Sequence, residues 1–382
     1  MAFRDSISQQ KQQRDEAGLT RELKTVESPQ SVIVKRDGRD LVNFSSNDYL
    51  GLANSDELKA AAEKAIKTWG VGAGASHLVC GHQTPHEELQ NEMAEFVGAE
   101  KAIVFSTGYM ANLAVPNAFL SRHDLLLQDK LNHASLIDAG MLCRADVKRY
   151  RHLDADHASQ LASMAEQQHV MLASDGVFSM NGSVADVRAL SRLCDHDDRL
   201  MLVDDAHGFG VLGDRGLGTL DAAGLKPTGQ ILMLGTLSKA AGSFGAFVAG
   251  DTVWIDHLIQ HARSFIYTTA LPPAIVEASR ESVRLIREQS WRREKLMENV
   301  ATFRRLAAES GIELLPSQTP IQSVNYGSPE AAVHASQQLE QAGFLVVAIR
   351  PPTVPEGTSR LRITLSASHE AEQITRLMAS MT

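Results

Sequence analysis

The chain has 382 residues, 43% of them hydrophobic and 22% charged, and a formal net charge of −9. That length and composition suit an ordinary globular protein with a large core and more than one domain, and the negative balance argues against a nucleic-acid binder driven by phosphate contacts. Cys80, Cys143 and Cys194 are too few and too irregularly spaced for a disulfide framework or a zinc site, so no metal is expected and a reducing, cytoplasmic setting fits best.

The N-terminus shows no apolar signal core, and no run reaches the length of a membrane span, so no membrane partner is expected. Residues 6–23 are polar and helix-prone. They predict a helix lying on another part of the protein or on a second subunit, with Arg21 near its end. Residues 31–34 and 41–44 flank Asp37-Gly38, a hairpin signal. The turn-rich residues 45–52 lead into a helix of Ala, Lys and Glu. The glycine-rich residues 70–76 lack the Gly-x-Gly-x-x-Gly or P-loop spacing of a nucleotide site. From Ala102 a parallel-sheet pattern begins: apolar runs at 102–105, 125–127, 170–173, 200–203 and 231–234 read as buried strands, each with polar residues at its carboxyl end. A glycine turn at 106–112 opens a helix whose free N–H groups suit a phosphate, and Pro116 falls inside it. Beyond Leu271 the pattern changes. Residues 274–310 are strongly helical, and runs near 312–315, 321–325, 344–349 and 361–365 read as strands, with helices at 331–342 and 369–381. The expected organisation is an N-terminal arm at 1–45, a large α/β domain with a mostly parallel sheet at 46–270, and a smaller α+β domain at 271–382.

Two of these runs end in chemically loaded turns. Leu200-Met201-Leu202-Val203 leads into Asp204-Asp205-Ala206-His207-Gly208, and Ile231-Leu232-Met233-Leu234 into Gly235-Thr236-Leu237-Ser238-Lys239. Open parallel sheets bind ligands beyond the carboxyl ends of their strands, so an acid, an imidazole, a hydroxyl and an amine share one rim. A lysine among Ala240, Ala241, Gly242 and Gly245 has room for a flat ring beside its amine, as a Schiff-base lysine needs. A carboxylate three residues before a histidine can hold a pyridine nitrogen protonated while the imidazole meets the ring from another direction. That set describes pyridoxal 5′-phosphate (PLP), an electron sink that needs a lysine and an acid at its ring nitrogen. Taken singly, each part has an ordinary structural role, as a solvated lysine or an Asp-x-x-His turn. Their joint placement after two buried strands is what favours the cofactor.

With these residues in view, the chain resembles the α-oxoamine synthases, PLP enzymes of fold type I with the aspartate aminotransferase architecture. The resemblance spans essentially the whole length. It is carried by Asn43-Phe44-Ser45-Ser46-Asn47-Asp48-Tyr49-Leu50-Gly51-Leu52, Asp175-Gly176-Val177-Phe178-Ser179-Met180, Val203-Asp204-Asp205-Ala206-His207-Gly208 and Thr236-Leu237-Ser238-Lys239. It implies a catalytic set of Lys239, His133, Asp204 and His207. Lys239 would carry PLP, Asp204 would pair with the pyridinium, and His133 would stack on the ring. His207 and Ser179 would contact the ring hydroxyl, Gly108 and Tyr109 would offer N–H groups to the phosphate, and Thr236 a hydroxyl. For the substrates it implies Arg362 at the amino-acid carboxylate, with His133, and Arg21 and Thr353 near the acyl chain. Strand alternation puts Arg360 and Arg362 on one face, so only the motif match chooses between them.

Near the C-terminus, Ala348-Ile349-Arg350-Pro351-Pro352-Thr353-Val354-Pro355 and Arg360-Leu361-Arg362-Ile363-Thr364-Leu365-Ser366-Ala367 look most like biotin-pathway members of that family. This implies decarboxylative condensation of L-alanine with a pimeloyl thioester, carried on CoA or acyl carrier protein (ACP), with Lys239 as anchor and general base. Fold type I enzymes complete each site across a homodimer, with Tyr267, Thr268 and Thr269 as candidates to reach the partner's phosphate. An acidic carrier would need a basic patch, for which Lys148-Arg149-Tyr150-Arg151 is a candidate. The alternatives are a family member using glycine and a catalytically silent PLP-fold subunit, which would be expected to lack the lysine or the acid.

Overall fold

The computed structural model describes residues 2–381. The chain divides into two compact units: a smaller one of the chain up to Tyr49, Met180–Gly182 and everything from Lys295 on, and a larger one of Leu50–Ser179 and Ser183–Glu294. In chain order, the smaller unit supplies β1 (Ile33–Arg36) and β2 (Arg39–Asn43). The larger supplies β3 (Lys101–Phe105), β4 (Leu125–Asp129), β5 (Asp146–Tyr150), β6 (Val170–Asp175), β7 (Arg199–Asp204), β8 (Ile231–Thr236) and β9 (Ala246–Gly250). The smaller closes with β10 (Ile321–Gly327), β11 (Phe344–Leu345), β12 (Val347–Ile349) and β13 (Ser359–Thr364).

The larger unit is built on one seven-stranded sheet in the order β3-β9-β8-β7-β6-β4-β5. The five strands from β8 to β5 run parallel, which requires a crossover between each pair and buries both faces. Continuous apolar runs satisfy that burial: Leu125, Leu126, Leu127, Met201, Leu202, Val203, Leu232 and Leu234 are all fully enclosed. At about 1.5–3 kcal/mol per buried large aliphatic side chain, these strands form the main apolar store of the unit. Helices Gly108–Phe119 and Thr252–His261 pack Ala111, Val115, Ile255 and Leu258 into the same core.

The sheet holds two strands more than the five apolar runs announce. β5, Asp-Val-Lys-Arg-Tyr, is the edge strand, where charged side chains are expected and only Tyr150 turns inward. β9, Ala-Phe-Val-Ala-Gly, is wholly buried and lies antiparallel between β3 and β8, so the sheet is mixed at that end.

In the smaller unit β1 and β2 form the hairpin that Asp37-Gly38 predicts. Both turn residues take positive φ, 49° and 71°, the twist that suits a two-residue hairpin loop. β11 adds parallel to β2, and β10, β13 and β12 make a second, antiparallel sheet. Four expectations shift. The N-terminal helix ends at Glu16 with none of its side chains buried, leaving Arg21 in the segment beyond it. Residues 312–315 are a loop, the run 344–349 splits at Val346, and the long helical stretch breaks at Gln289 into Pro273–Glu288 and Ser290–Glu309. Among the described residues no helix is long and apolar enough to cross a membrane.

Candidate active site

Parallel pairing sets the acids of the rim side by side: Asp175 ends β6 and is in register with Asp204 at the end of β7. Asp204 is 5% exposed. Its Oδ1 accepts the Ala206 N–H at 3.0 Å and its Oδ2 accepts Asn112 Nδ2 at 2.5 Å. Asp175 is also buried. It accepts the His133 backbone N–H at 3.1 and 3.2 Å, while its own backbone N–H donates to Asn132 Oδ1 at 3.0 Å. Burial pushes the Asp175 carboxyl well above the usual carboxylate range, the Asp204 charge adds to it, and the His133 N–H and Lys239 oppose it.

After β7 the chain turns tightly, with the Gly208 and Phe209 N–H groups donating to the Asp205 carbonyl, and so swings His207 back over the rim. His207 is buried, and its Nε2 lies 3.0 Å from Lys239 Nζ. Lys239 comes from the turn after β8, closed by Gly242 N–H to the Lys239 carbonyl and Ser243 N–H to the Leu237 carbonyl, both 2.8 Å. Gly242 must be glycine there: its φ is 65° and an added Cβ would stand 2.5 Å from the Ala53 nitrogen.

His133 caps the helix Ala134–Leu142, with Nδ1 2.7 Å from Ser135 Oγ. Its ring is exposed at the rim, yet the surrounding protein atoms lower its pKa; the Asp204 carboxylate raises it, the Lys239 charge lowers it, and Asp138 raises it. At the start of helix Gly108–Phe119, Met110 N–H donates to Thr107 Oγ1 and Ala111 N–H to the Thr107 carbonyl, so the N–H groups of Gly108 and Tyr109 have no acceptor within the helix. No atom would come nearer than 3.9 Å to a Cβ on Gly108, and the Tyr109 hydroxyl donates to Asp138. Thr236 is buried, its Oγ1 donating to the Gly245 carbonyl at 3.0 Å and lying 2.7 Å from Ser238 Oγ. The hydroxyl beside Lys239 that faces outward is therefore that of Ser238, which the motif reading passed over. Ser179 is half-buried in the loop after β6.

The structure thus joins Lys239 to His207 side chain to side chain, ties the His133 backbone to Asp175, and links Asp204 to the His133 ring through Asn112 and Ser135. The last two residues were missed by sequence reasoning. The one available signal was a lone asparagine in the apolar stretch Gly-Tyr-Met-Ala-Asn-Leu-Ala-Val. In the smaller unit, Arg362 is buried on β13 and its Nη2 donates to Asn47 Oδ1 at 3.1 Å. Burial raises the Tyr49 hydroxyl, and the Arg362 charge opposes that. Arg360 is buried too, but donates to the Thr358 carbonyl, and burial lowers its pKa. The partners therefore separate two arginines that strand alternation leaves equivalent. Arg21 Nη2 donates to Thr353 Oγ1 at 3.3 Å, both side chains being exposed.

An amine, a buried carboxylate held by two N–H donors, an exposed imidazole ring and two unclaimed helix N–H groups fit the chemistry of PLP. Residues 39–381 match the family model of class I and II aminotransferases. A relative from Methylococcus capsulatus named 8-amino-7-oxononanoate synthase is 51% identical over 356 residues, 93% of this chain and 92% of its own. Among solved structures, a serine palmitoyltransferase variant from S. paucimobilis with a bound PLP–myriocin aldimine superposes with a TM-score of 0.92 at 28% identity, covering 99% of this chain and 96% of its own. An 8-amino-7-oxononanoate synthase from Francisella tularensis gives 0.78 at 30% identity, covering 89% and 96%. The chain belongs to the class I and II aminotransferase family, as one of its PLP-dependent α-oxoamine synthases.

Proposed function

We propose that this protein condenses L-alanine with a pimeloyl thioester, with loss of carbon dioxide, to give 8-amino-7-oxononanoate in biotin synthesis. Relatives of that name support the reading, and the structural observation that carries it is Lys239 Nζ 3.0 Å from His207 on the rim that Asp204 shares. When bound, PLP supplies an electron sink for charge developing at the alanine Cα. Lys239 anchors the cofactor and, once its amine is free, takes the Cα proton, with His207 Nε2 as its immediate neighbour. Asp204 would hold the proton on the ring nitrogen. His207 and Ser179 would serve the ring oxygen, while the Gly108 and Tyr109 N–H groups would serve the phosphate together with the exposed Ser238 hydroxyl, which Thr236 Oγ1 braces from 2.7 Å. The His133 ring would lie against the cofactor. The Arg362 guanidinium is shaped for the alanine carboxylate, and Arg21 and Thr353 meet the acyl chain.

The working form is a cytoplasmic homodimer, with Tyr267, Thr268 and Thr269 reaching the partner's phosphate. ACP is the acyl carrier we favour. Arg149 and Arg151 are exposed at and just beyond the edge strand β5, where an acidic carrier can dock.

The test is a panel of amino acids and acyl thioesters scored by thiol release. It includes serine with a long-chain acyl-CoA, because the serine palmitoyltransferase superposes over nearly the whole chain. Alanine with a pimeloyl thioester is expected to be fastest, and glycine with acetyl-CoA winning would refute the assignment. Lys239→Ala is expected to lose the visible absorption band that PLP gives on addition to the parent protein.

A further inference from the structure

Two enclosed polar side chains, Asn112 at 1% exposure and Ser135 at 0%, connect the acid of the rim to its imidazole. Asn112 Nδ2 donates to Asp204 Oδ2 at 2.5 Å and to Ser135 Oγ at 2.8 Å, and Ser135 Oγ lies 2.7 Å from His133 Nδ1. The carboxylate at one end of this chain fixes the direction of the Asn112 bonds, and a backbone N–H at the other end fixes that of the Ser135–His133 bond. An ionised carboxylate only accepts, so the amide must turn its NH2 toward Asp204; the reverse would set two oxygens against each other. Asn112 Oδ1 is left buried without a partner as the consequence of that choice. The second Asn112 N–H occupies one of the two lone pairs of Ser135 Oγ, and the hydroxyl proton points to His133 Nδ1 because that nitrogen already accepts the Ser135 backbone N–H. The Ser135 backbone N–H is aimed at the same nitrogen from 3.3 Å. A ring nitrogen that faces two donors accepts, so the proton of the neutral ring sits on Nε2.

We propose that Asn112 and Ser135 are positioning residues that hold the Asp204 carboxylate and lock His133 in its Nε2–H tautomer, which makes that nitrogen a hydrogen-bond donor toward a substrate oxygen. The crowding that lowers the His133 pKa favours the neutral ring on which such a lock can act. Both residues lie on helices that begin at the rim, Asn112 on Gly108–Phe119 and Ser135 on Ala134–Leu142, so the relay is set by how two helices are seated rather than by a mobile loop. The inference rests on Asp204 and His133 being site residues.

The test uses the full chain loaded with PLP and labelled with 15N-histidine. Long-range 1H–15N correlations report which ring nitrogen carries the proton, and the His133 signals are identified by their loss in His133→Gln. The parent and Ser135→Thr, which keeps the hydroxyl, are expected to show Nε2–H. Ser135→Ala, and independently Asn112→Ser, are expected to populate Nδ1–H. Their kcat should fall about 10–100-fold, by analogy with the loss of a hydrogen-bond partner that orients a metal-ligating histidine, with a smaller change in the KM for alanine. Nδ1–H in the parent, or an unchanged Nε2–H state in Ser135→Ala and Asn112→Ser, overturns the lock. Undiminished turnover in His133→Gln would remove His133 from the site without touching the tautomer result, so the two failures are told apart.

Discussion

Asp205→Asn should make this protein's stability less sensitive to pH, because Asp205 is a fully enclosed acid that the proposed chemistry does not use. Its Oδ2 accepts the Thr219 N–H at 2.6 Å and its Oδ1 has no partner. Burial raises the carboxyl to about 7, with the Thr219 hydrogen bonds opposing and the Asp204 charge adding to the rise. An acid raised on folding keeps its proton longer in the folded state. Below about pH 4 both states are protonated and the group is neutral for stability. Between about 4 and 7 only the unfolded chain ionises, so stability falls as pH rises, and above about 7 the loss is complete. At about 1.4 kcal/mol per unit, the rise from 3.8 to about 7 is a loss of at most about 4 kcal/mol. Asparagine keeps the acceptor for Thr219 and cannot ionise, while its NH2, lying where Oδ1 now has no partner, adds a pH-independent cost of about 1–3 kcal/mol. Urea unfolding of parent and variant from about pH 5 to 8, with PLP in constant excess, reads the difference. Asp175 and the histidines titrate in both proteins and cancel from it. The variant should gain on the parent steadily up to about pH 7 and then hold level. A difference that stays flat across the range would refute the reasoning.

Gly208→Ala would place a Cβ 1.9 Å from Asp205 Oδ1 and 2.9 Å from its Cγ. Since the Thr219 N–H holds the carboxylate, we expect a loss of about 1–3 kcal/mol, typical of overpacking. Adding Asp205→Ser should recover part of it in thermal melts, and strict additivity would count against the caged carboxylate. Arg362→Lys should raise the KM for alanine about tenfold or more by losing a charged, two-pronged hydrogen bond. Arg360→Lys should change it far less, and equal effects in steady-state kinetics would remove the distinction between the two arginines.

Local signals carried much of the architecture. Apolar runs bounded by glycine and polar residues marked β3, β4, β6, β7 and β8, because a strand buried on both faces has no room for polar side chains. Asp37-Gly38 marked its hairpin because few other pairs accept two positive φ values. What stayed hidden depended on neighbours distant in the chain. β5 is a strand because β4 offers it a ladder, and its edge position lets it keep Lys148 and Arg149. Residues 312–315, Ile-Glu-Leu-Leu, are more apolar than β5 and remain a loop.

The rim divides in the same way. The amine, acid and imidazole of its two loaded turns, Lys239, Asp204 and His207, are written in short runs after buried strands and follow from the chain alone, whereas His133 and Asp175 came with the family resemblance. Which of those groups touch is a tertiary matter. The register of β6 with β7 sets Asp175 beside Asp204, and the seating of two helices brings Asn112 and Ser135 between Asp204 and His133. Spacing along a chain determines which face a side chain can occupy, but a hydrogen bond between residues 92 positions apart exists only once the sheet and its helices have closed around it.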